Sequence, residues 1–452
     1  MLLTLLLVSP HSSAAEERVF TKVLIELKNG EIEAEYRLAS PLERLELARN
    51  STQYRSVSWR ILTAGVTLKD STLLAASGKT FDRVRISVKP LDSAAQKDYD
   101  PILRFSDGGR AVYTGQFDVA PEHGPTAFEF KASKKAPVAL AGVLHHKPVR
   151  YTSVGEGTYA YFGHTPLLNL PFGLAIIDPA LPAWALAELR SFVPTVLNYY
   201  GERLGEQPAV HSFILFNYDA GMGAGAGNGG DRLPGLLRLV LYGPGWQEDS
   251  EKVRHRLRWV IAHETAHFWN SQTNDEAAPW MHEGSADALA HLALHDLGFI
   301  TRAELAAVQD EALNRCLVEL DGRSVNEAFR QGRYRVAYDC GHVMSLLTEA
   351  AMRQSNPRLG LHDFWRTLLD LAAKDGGFYN QGHYLANLVK QTGNARVAGF
   401  VYRFTNQSQA GSRPLADVFA ETDRLLRPGA EEPEAPAPMN AKPTSSIGVP
   451  VN

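Results

Sequence analysis

The chain has 452 residues, and its length, composition and charge exclude several classes of protein. One domain usually takes about 150 residues, so two or three packed units are expected. Hydrophobic residues make up 44% and charged residues 21%, which is the composition of an ordinary globular protein. A formal net charge of −4 gives no electrostatic reason to expect nucleic acid or an anionic membrane as a partner.

Residues 1–15 have the layout of a secretory signal peptide. An apolar run from Leu2 to Val8 is followed by small residues that end at Ala15, where cleavage is expected. No Lys or Arg precedes Arg18, so the usual positive start is missing, and a buried N-terminal strand is the alternative. No later stretch reaches the roughly 18 to 20 apolar residues of a membrane span. We therefore expect an exported protein, periplasmic or extracellular, without a membrane span.

The remaining chain divides into four segments by its hydrophobic pattern. Residues 16–150 contain short β-rich runs such as TKVLIELK and RVRISVKPL between turn residues, which predicts an antiparallel β-sandwich. Residues 151–300 mix helical runs with strand-like ones such as HSFILFNYD, and residues 301–425 have helical spacing almost throughout. Residues 426–452 are rich in Pro, Ala and Glu and are expected to be a disordered tail. The predicted fold class is a multidomain α+β protein.

The chain contains two cysteines, Cys316 and Cys340. They are too few for a disulfide scaffold, and they do not have the paired spacing of a cysteine zinc site. The sequence leaves two interpretations open, a single bridge formed in an oxidising compartment or two buried thiols that act as small hydrophobic residues.

The richest chemistry lies in an H-E-x-x-H motif at residues 263–267, inside the helical run RLRWVIAHETAHFWN. His263 and His267 are four residues apart, so on a helix their imidazoles project from one face and can share one ion. Glu264 follows the first ligand directly, where its carboxylate can reach a metal-bound water without occupying the metal. The motif predicts a zinc site with Glu264 as general base.

A catalytic zinc ion needs a third protein ligand and one open position. The segment PWMHEGSAD begins an apolar helix downstream, and Glu283 follows His267 after fifteen residues, enough to return a second helix antiparallel to the first. A carboxylate at the start of that helix then faces the two imidazoles. His282 is the rival ligand, but its side chain points about 100° away from that of Glu283 on the same helix.

These segments resemble those of the gluzincin metallopeptidases, in particular the membrane alanyl aminopeptidase and glycyl aminopeptidase families. In the first family a W-x-N-E-G-F-A segment supplies the third zinc ligand, and residues 280–286 read W-M-H-E-G-S-A. Residues 267–270, H-F-W-N, are similar to the glycyl aminopeptidase pattern. The resemblance implies Glu283 as the third ligand and a thermolysin-like catalytic domain over residues 151–300. His282 departs from the family's Asn.

The resemblance also implies two supporting residues. Asp287 stands one turn after Glu283 and resembles the aspartate that orients a zinc-binding histidine in thermolysin-like enzymes, a role that fixes the imidazole tautomer. Tyr338 opens a Y-D-C-G segment that is similar to the Tyr-Glu-Lys-Gly segment of the aminopeptidases, where the tyrosine stabilises the oxyanion. Tyr334 and His342 lie on neighbouring turns and are alternatives for this donor.

A glycine-rich stretch at residues 221–230, which we expect to be a loop, contains a formal G-x-G-x-x-G. A dinucleotide site would need a helix to begin there, whereas Pro234 and a β-like run follow, so this reading is rejected. In the resembling peptidases the region supplies a Gly-Ala-Met-Glu-Asn strand whose glutamate binds the substrate's amino terminus. No Glu occurs between Glu206 and Glu248, and Asp231 is the nearby carboxylate that we expect to take this part.

Together these observations predict a zinc-dependent peptidase with one Zn²⁺ per chain, an aminopeptidase-like mode of action, and a peptide or protein substrate. Two alternatives remain open. The missing glutamate keeps a zinc endopeptidase in consideration, and a non-catalytic secreted binding protein with the gluzincin fold is the rival from another class. An intact Glu264 argues against the latter, since a purely structural zinc site needs no base.

Overall fold

A computed structural model of the chain describes residues 21–408 except 49–51, 94, 96–98, 154–156, 171–172, 206–212, 234, 272 and 274–277. The predicted signal peptide at residues 1–15 and the predicted tail at residues 426–452 lie outside the described residues. Up to Ser271, and again over Ala290–Ile300, the described residues form one compact unit, and the others form a second.

The first part of the chain is built mainly from β-strands. Their bounds are β1 (Thr21–Lys28), β2 (Glu31–Leu42), β3 (Arg44–Glu46), β4 (Trp59–Ile61), β5 (Val66–Lys69), β6 (Thr72–Ala75), β7 (Phe81–Val88), β8 (Ile102–Arg104), β9 (Arg110–Tyr113), β10 (Thr126–Phe130), β11 (Val138–Leu140), β12 (Val143–His145), β13 (Val149–Thr152) and β14 (Tyr159–Phe162). One helix, α1 (Thr52–Ser58), precedes β4.

These strands form three sheets. Their strand orders are β13-β10-β1-β2-β7-β4, β12-β11-β14-β9-β8 and β3-β6-β5. The two larger sheets contribute side chains to one hydrophobic core, for example Val23 and Ile86 from the first and Val112 and Phe162 from the second. This arrangement places alternate residues of each strand in a shared interior, as the alternating sequence pattern indicates.

The prediction of a purely antiparallel arrangement is wrong for one pair of strands. Strand β1 pairs with β10 in parallel, with Thr21 opposite Thr126 and Ile25 opposite Phe130. A parallel pair needs a long connection, and almost one hundred residues separate these two strands. Hydrophobic alternation has the same period in both kinds of sheet, so it carries no information on strand direction.

A second group of elements follows in the chain. It comprises the strands β15 (Leu168–Leu170), β16 (Gly173–Ile177), β17 (Phe213–Asp219), β18 (Gly227–Leu233) and β19 (Leu236–Tyr242), and the helices α2 (Ala183–Leu204), α3 (Glu251–Asn270) and α4 (Trp280–Asp296). The sheet order is β15-β16-β17-β19-β18, so β18 is an edge strand. Strands β16, β17 and β19 are parallel, whereas β15 and β18 run antiparallel to their neighbours.

The second half of the glycine-rich stretch, expected to be a loop, is strand β18. Its backbone pairs with β19 from Gly227 to Leu233. Pairing requires only main-chain groups, so a glycine-rich segment can complete a sheet when tertiary structure brings a partner alongside. A Cβ atom added at Gly227 would collide with the ring of Tyr242, which explains the need for glycine there.

The rest of the described chain is helical. The helices are α5 (Arg302–Leu320), α6 (Val325–Arg330), α7 (Arg335–Ser355), α8 (Leu361–Lys374), α9 (Gln381–Thr392) and α10 (Ala395–Asn406). Short 3₁₀ helices occur earlier, at Thr114–Phe117, Pro121–His123 and Pro244–Gln247. No helix within the described ranges is both long and apolar enough to cross a membrane.

Candidate metal centre

Helix α3 places the two histidines of the H-E-x-x-H motif side by side. The Nε2 atoms of His263 and His267 are 3.2 Å apart, and their ring centroids are 4.9 Å apart. Both side chains are buried, with exposures of 4% and 7%. One helical turn separates the residues, so the backbone alone is enough to bring the two imidazoles to one point.

Glu283 lies in the first turn of α4 and joins the two histidines. One ligand atom from each of the three residues lies within 4.8 Å of the others. The amide of Glu283 donates to the carbonyl oxygen of Pro279, which holds the start of the helix. A carboxylate is favoured in this position because the first turn carries the positive end of the helix dipole.

His282, the rival ligand, does not enter this cluster within the described part of the chain. Its Nε2 atom lies 3.9 Å from Oε1 of Glu283, and its side chain remains 23% exposed. Its position one residue earlier on the helix turns the side chain to another face.

The donor set fits a zinc ion. Two imidazole nitrogens and one carboxylate are the ligands found in many catalytic zinc sites. Nitrogen ligands about 2.0 to 2.1 Å from a tetrahedral ion lie roughly 3.3 Å from each other, close to the distance of 3.2 Å between the two Nε2 atoms. The arrangement supplies three protein ligands, which is the number that a catalytic zinc site uses.

Asn270 is a supporting residue to which the sequence reasoning assigned no role. Its Oδ1 atom lies 2.9 Å from Nδ1 of His267, and its side chain is 1% exposed. Because an amide oxygen only accepts, Nδ1 carries the proton and the lone pair of Nε2 is directed to the metal position. The signal was present in the sequence, since Asn270 follows His267 by three residues on one helix.

Glu264 is buried beside the histidines and is in close contact with strand β18. Its side chain is 7% exposed. A Cβ atom added at Gly230 would lie 2.5 Å from Cγ of Glu264 and closer still to the carboxylate. The absence of a side chain at Gly230 therefore makes room for the carboxylate of the proposed base.

Tyr338 lies on α7, which crosses the first turn of α4 at two glycines. A Cβ atom added at Gly341 would lie 2.9 Å from Cα of Gly284. Glycine at both positions lets the two backbones approach closely, next to Glu283 on one helix and Tyr338 on the other. Tyr338 is half-buried, as expected for a group that can reach a substrate.

The two alternatives to Tyr338 occupy different surroundings. Tyr334 precedes α7, is 41% exposed and contacts the ring of Phe329 with a centroid distance of 5.3 Å. His342 is buried, with 2% exposure. The choice of Tyr338 as the donor to the oxyanion stays a prediction.

A disulfide joins Cys316 on α5 to Cys340 on α7. This observation decides between the two interpretations of the cysteines. The bond attaches α7 to its neighbour two residues after Tyr338 and so limits the movement of this segment.

Asp287 is buried on α4, with 7% exposure. Burial raises the pKa of Asp339, and the charge of Asp287 adds to this effect, whereas Arg315 opposes it. Asp287 therefore lies within electrostatic range of α7. Its role in orienting a zinc-binding histidine stays a prediction.

Asp231 is engaged by another residue. Its carboxylate forms an ion pair with Arg238, which also contacts Asp100 at 3.2 Å. Asp231 and Arg238 are directly opposite each other on β18 and β19. Since Gly230 faces Glu264, the next residue on the strand points to the other face of the sheet. The structure therefore places Asp231 away from the proposed base, and its expected role as an amine-binding group has no support in this geometry.

Tyr379 is a second residue that the sequence reasoning did not select. It is fully buried, and burial raises the pKa of its hydroxyl well above the usual range, with the charges of Tyr384 and Glu283 adding to the effect. Tyr379 thus stays protonated and is electrostatically coupled to the proposed third ligand. It lies in the irregular segment between α8 and α9, where no local spacing relates it to Glu283.

The fold of this chain is similar to that of zinc metallopeptidases of the M1 type. No model of a protein family and no curated protein matches the sequence. An M1 zinc metallopeptidase from Deinococcus radiodurans is similar, with a TM-score of 0.52, 16% identity, and coverage of 87% of this chain and 94% of that one. A mutant M1 zinc metallopeptidase from the same organism, bound to a Tyr-Ser-Ala substrate, is similar with a TM-score of 0.53, 14% identity and the same coverage of both chains.

Leukotriene A4 hydrolase from Saccharomyces cerevisiae is also similar, with a TM-score of 0.52, 13% identity, and coverage of 88% of this chain and 68% of the hydrolase. At these identities the likeness concerns the fold. The resemblance to gluzincin peptidases that the motifs indicated is confirmed at that level.

Proposed function

We propose that this protein is a zinc-dependent peptidase. The observation that carries the proposal is the cluster of His263, His267 and Glu283, whose ligand atoms lie within 4.8 Å of one another. Glu264 follows His263 directly in the chain, and its side chain is buried. A carboxylate at this position of the motif is the general base that hydrolysis at such a site requires. The likeness of the fold to zinc metallopeptidases supports the same reaction class.

Each residue has a chemical task in this proposal. A bound zinc ion supplies Lewis-acid chemistry, because it polarises a carbonyl group and makes water more acidic. Glu264 accepts the proton of the attacking water on its carboxylate and delivers it to the leaving amine. Asn270 fixes the tautomer of His267 through the 2.9 Å hydrogen bond. The hydroxyl of Tyr338 donates to the oxyanion of the tetrahedral intermediate.

We assign this chemistry to a thermolysin-like catalytic domain over residues 151–300. It is flanked by a β-sandwich domain at residues 16–150 and a helical domain at residues 301–425. The strands β15 to β19 and helix α3 fall within residues 151–300, which supports the assignment of the catalytic chemistry to this range.

The substrate mode is part of the proposal in two versions. Aminopeptidase-like action needs a carboxylate that faces the substrate's ammonium group, since a buried charge must be paired. Asp231 pairs with Arg238 instead. This ion pair favours the second version, a zinc endopeptidase that tolerates a blocked amino terminus.

We also propose that the protein is exported to the periplasm or the extracellular space. The disulfide between Cys316 and Cys340 supports this proposal, because such bonds persist in oxidising compartments and are rare in the cytosol. Quenching thiols in intact cells and comparing the labelled and unlabelled protein would test it. A fully reduced pool of this protein in cells would contradict export.

Zinc content and hydrolysis together test the peptidase proposal. The wild-type protein should hold about one zinc per chain and cleave peptides, and His267→Ala should lose the metal. Glu264→Gln should keep the zinc but lower kcat by about 10²- to 10⁴-fold, because only the general base is lost. Unchanged turnover in Glu264→Gln, or wild-type zinc content in His267→Ala, would refute the proposal.

A further inference from the structure

Strand β18 has two faces with different partners. Its pairing with β19 is regular from Gly227 to Leu233, so successive side chains alternate between the faces. Oδ1 of Asn228 accepts hydrogen bonds from Arg256 on α3, at 3.0 and 3.3 Å. Gly230 lies against Glu264. The even-numbered residues of β18 therefore face α3.

The odd-numbered residues face the opposite way. Leu233 belongs to a hydrophobic cluster that includes Tyr159, and Asp231 pairs with Arg238. The guanidinium of Arg238 in turn lies 5.7 Å from the ring centre of Tyr159. By this alternation Arg232 lies on the same face as Gly230, towards α3.

Arg232 makes the contact that this placement predicts. Its Nη1 donates to Oγ of Ser271 at 2.6 Å, and Ser271 is the residue that follows α3. Oγ of Ser271 donates in turn to the carbonyl oxygen of His267 at 2.7 Å. The positive charge of Arg232 is thereby held next to the helix that carries the proposed zinc ligands.

The charge of Arg232 has no carboxylate partner within the described ranges of the chain. Its side chain is partly buried, and Nε is buried without a hydrogen-bond partner. Burial lowers the pKa of this guanidinium, which nevertheless stays charged at neutral pH. Holding an unpaired charge in a partly buried position costs free energy.

Two other buried arginines of the same unit are paired with carboxylates. Arg258 forms ion pairs with Glu188 and Glu251, at 2.9 and 2.7 Å. Arg238 pairs with Asp231 and Asp100. Unlike these two, Arg232 has a neutral hydroxyl as its polar partner among the described residues, so an anionic group of a ligand can supply the missing counter-charge.

The separation of Ser271 from Glu264 along α3 gives an estimate of how far Arg232 lies from the proposed base. Residues 264, 267 and 271 are spaced by three and four, so they lie along one face of α3. The seven residues from Glu264 to Ser271 span roughly 10 Å at about 1.5 Å per residue. An extended peptide covers about 3.3 to 3.6 Å per residue, so this span corresponds to about three residues.

We propose that Arg232 is a specificity-determining residue that binds a carboxylate of the substrate about three residues from the bond that is cleaved. This inference rests on the proposed peptidase function and deepens it. The carboxylate is either the C-terminus of a short peptide or an acidic side chain of a longer one, since both present the same bidentate acceptor to a guanidinium.

Direct binding tests this proposal without reliance on turnover. Zinc-loaded protein with Glu264→Gln is titrated calorimetrically with alanine tetrapeptides that are matched except for one group. One peptide has a free C-terminal carboxylate, one is its amide, and four further amides each carry a single Asp at a different position. We expect the best carboxylate-bearing peptide to bind about 10- to 100-fold more tightly than the plain amide.

Two variants in the same background localise the effect. Arg232→Gln should reduce the preference for the carboxylate to about twofold or less, and Arg232→Lys should keep part of it, since charge remains but the planar fork is lost. Arg256→Gln is the matched control, because it removes an exposed arginine that contacts the other end of the same strand. This control should keep the full preference.

Four results of the binding experiments would contradict the proposed role of Arg232. Equal affinity for acid and amide peptides, binding of neither, or a preference that survives Arg232→Gln would overturn the inference. A preference lost equally in Arg256→Gln would also overturn it, because long-range electrostatics would then be the cause. The hydrolysis assay with otherwise wild-type protein is separate. Peptide cleavage without carboxylate preference rejects the role of Arg232 alone, and Arg232-dependent binding without any cleavage rejects the peptidase proposal alone.

Discussion

The sharpest prediction concerns Gly230, the residue of β18 that lies against the proposed general base. In Gly230→Ala, the new methyl group would lie 2.5 Å from Cγ of Glu264, whereas carbon atoms in contact are separated by about 3.5 to 4.0 Å. The carboxylate must therefore move by at least about 1 Å, or the strand must retreat by the same amount. Misplacement of a catalytic group by about 1 Å costs on the order of 10²-fold in rate.

Gly229→Ala is the matched control for this variant. The neighbouring glycine lies on the same strand, and a Cβ atom added there meets no other atom within 4 Å. Both variants change the strand's composition equally, but only one of them disturbs Glu264. The comparison therefore separates the steric effect from a general effect of alanine in β18.

Steady-state kinetics and metal analysis provide the assay. We expect Gly230→Ala to keep about one zinc per chain and to lower kcat by on the order of 10²-fold, because the ligands stay in place while the base is displaced. Gly229→Ala should retain wild-type kcat and zinc content. Equal kcat in the two variants would refute the reasoning, since the close approach of Gly230 to Glu264 would then have no consequence for catalysis.

Three further predictions follow from individual contacts. Asn270→Ala should weaken zinc affinity about 10- to 100-fold, measured by competition with a chelator, because His267 loses the hydrogen bond that orients it. Asn270→Asp should retain most of the zinc affinity. Unchanged zinc affinity in Asn270→Ala would contradict the role assigned to Asn270. The Cys316–Cys340 bond joins residues 24 positions apart in the chain, and its reduction should lower the free energy of unfolding by about 3 kcal/mol in denaturant titration. Coincident unfolding curves for the oxidised and the reduced protein would contradict this stabilising role of the disulfide. Asp231→Ala should lower the free energy of unfolding by only about 1 to 3 kcal/mol, because buried Arg238 loses one acidic partner but keeps Asp100. The variant should cleave free and N-acetylated peptides in the same ratio as the wild type. Loss of a preference for the free peptide in a stable variant would restore the amine-binding role of Asp231.

Much of the metal centre could be predicted from local spacing. Helix α3 spans Glu251–Asn270 and contains the whole predicted helical run RLRWVIAHETAHFWN, and a helix fixes the relative directions of residues four apart. His263 and His267 therefore meet without any help from distant parts of the chain. The same reasoning would have found Asn270, three residues after His267, had the second nitrogen of the imidazole been considered.

Other features depended on residues that are remote in sequence. The hydrophobic pattern indicated strands but could not show that β1 and β10 are parallel, because both sheet types alternate with the same period. The spacing of the two cysteines was equally compatible with free thiols. Only the packing of α5 on α7 brings Cys316 and Cys340 together.

Local sequence is enough to predict the proposed reaction class, since the ligand and base types and their helical spacing are local properties of residues 263–283. The surroundings of that chemistry depend on strand pairing and packing. Composition identified Asp231 as the nearby carboxylate, but pairing with β19 turns it towards Arg238 and turns Arg232 towards α3. A shift of one residue in strand register would exchange the two side chains between the faces. The sign of the charge on the face of β18 that lies towards α3 is therefore set by strand pairing, which no local pattern in the sequence encodes.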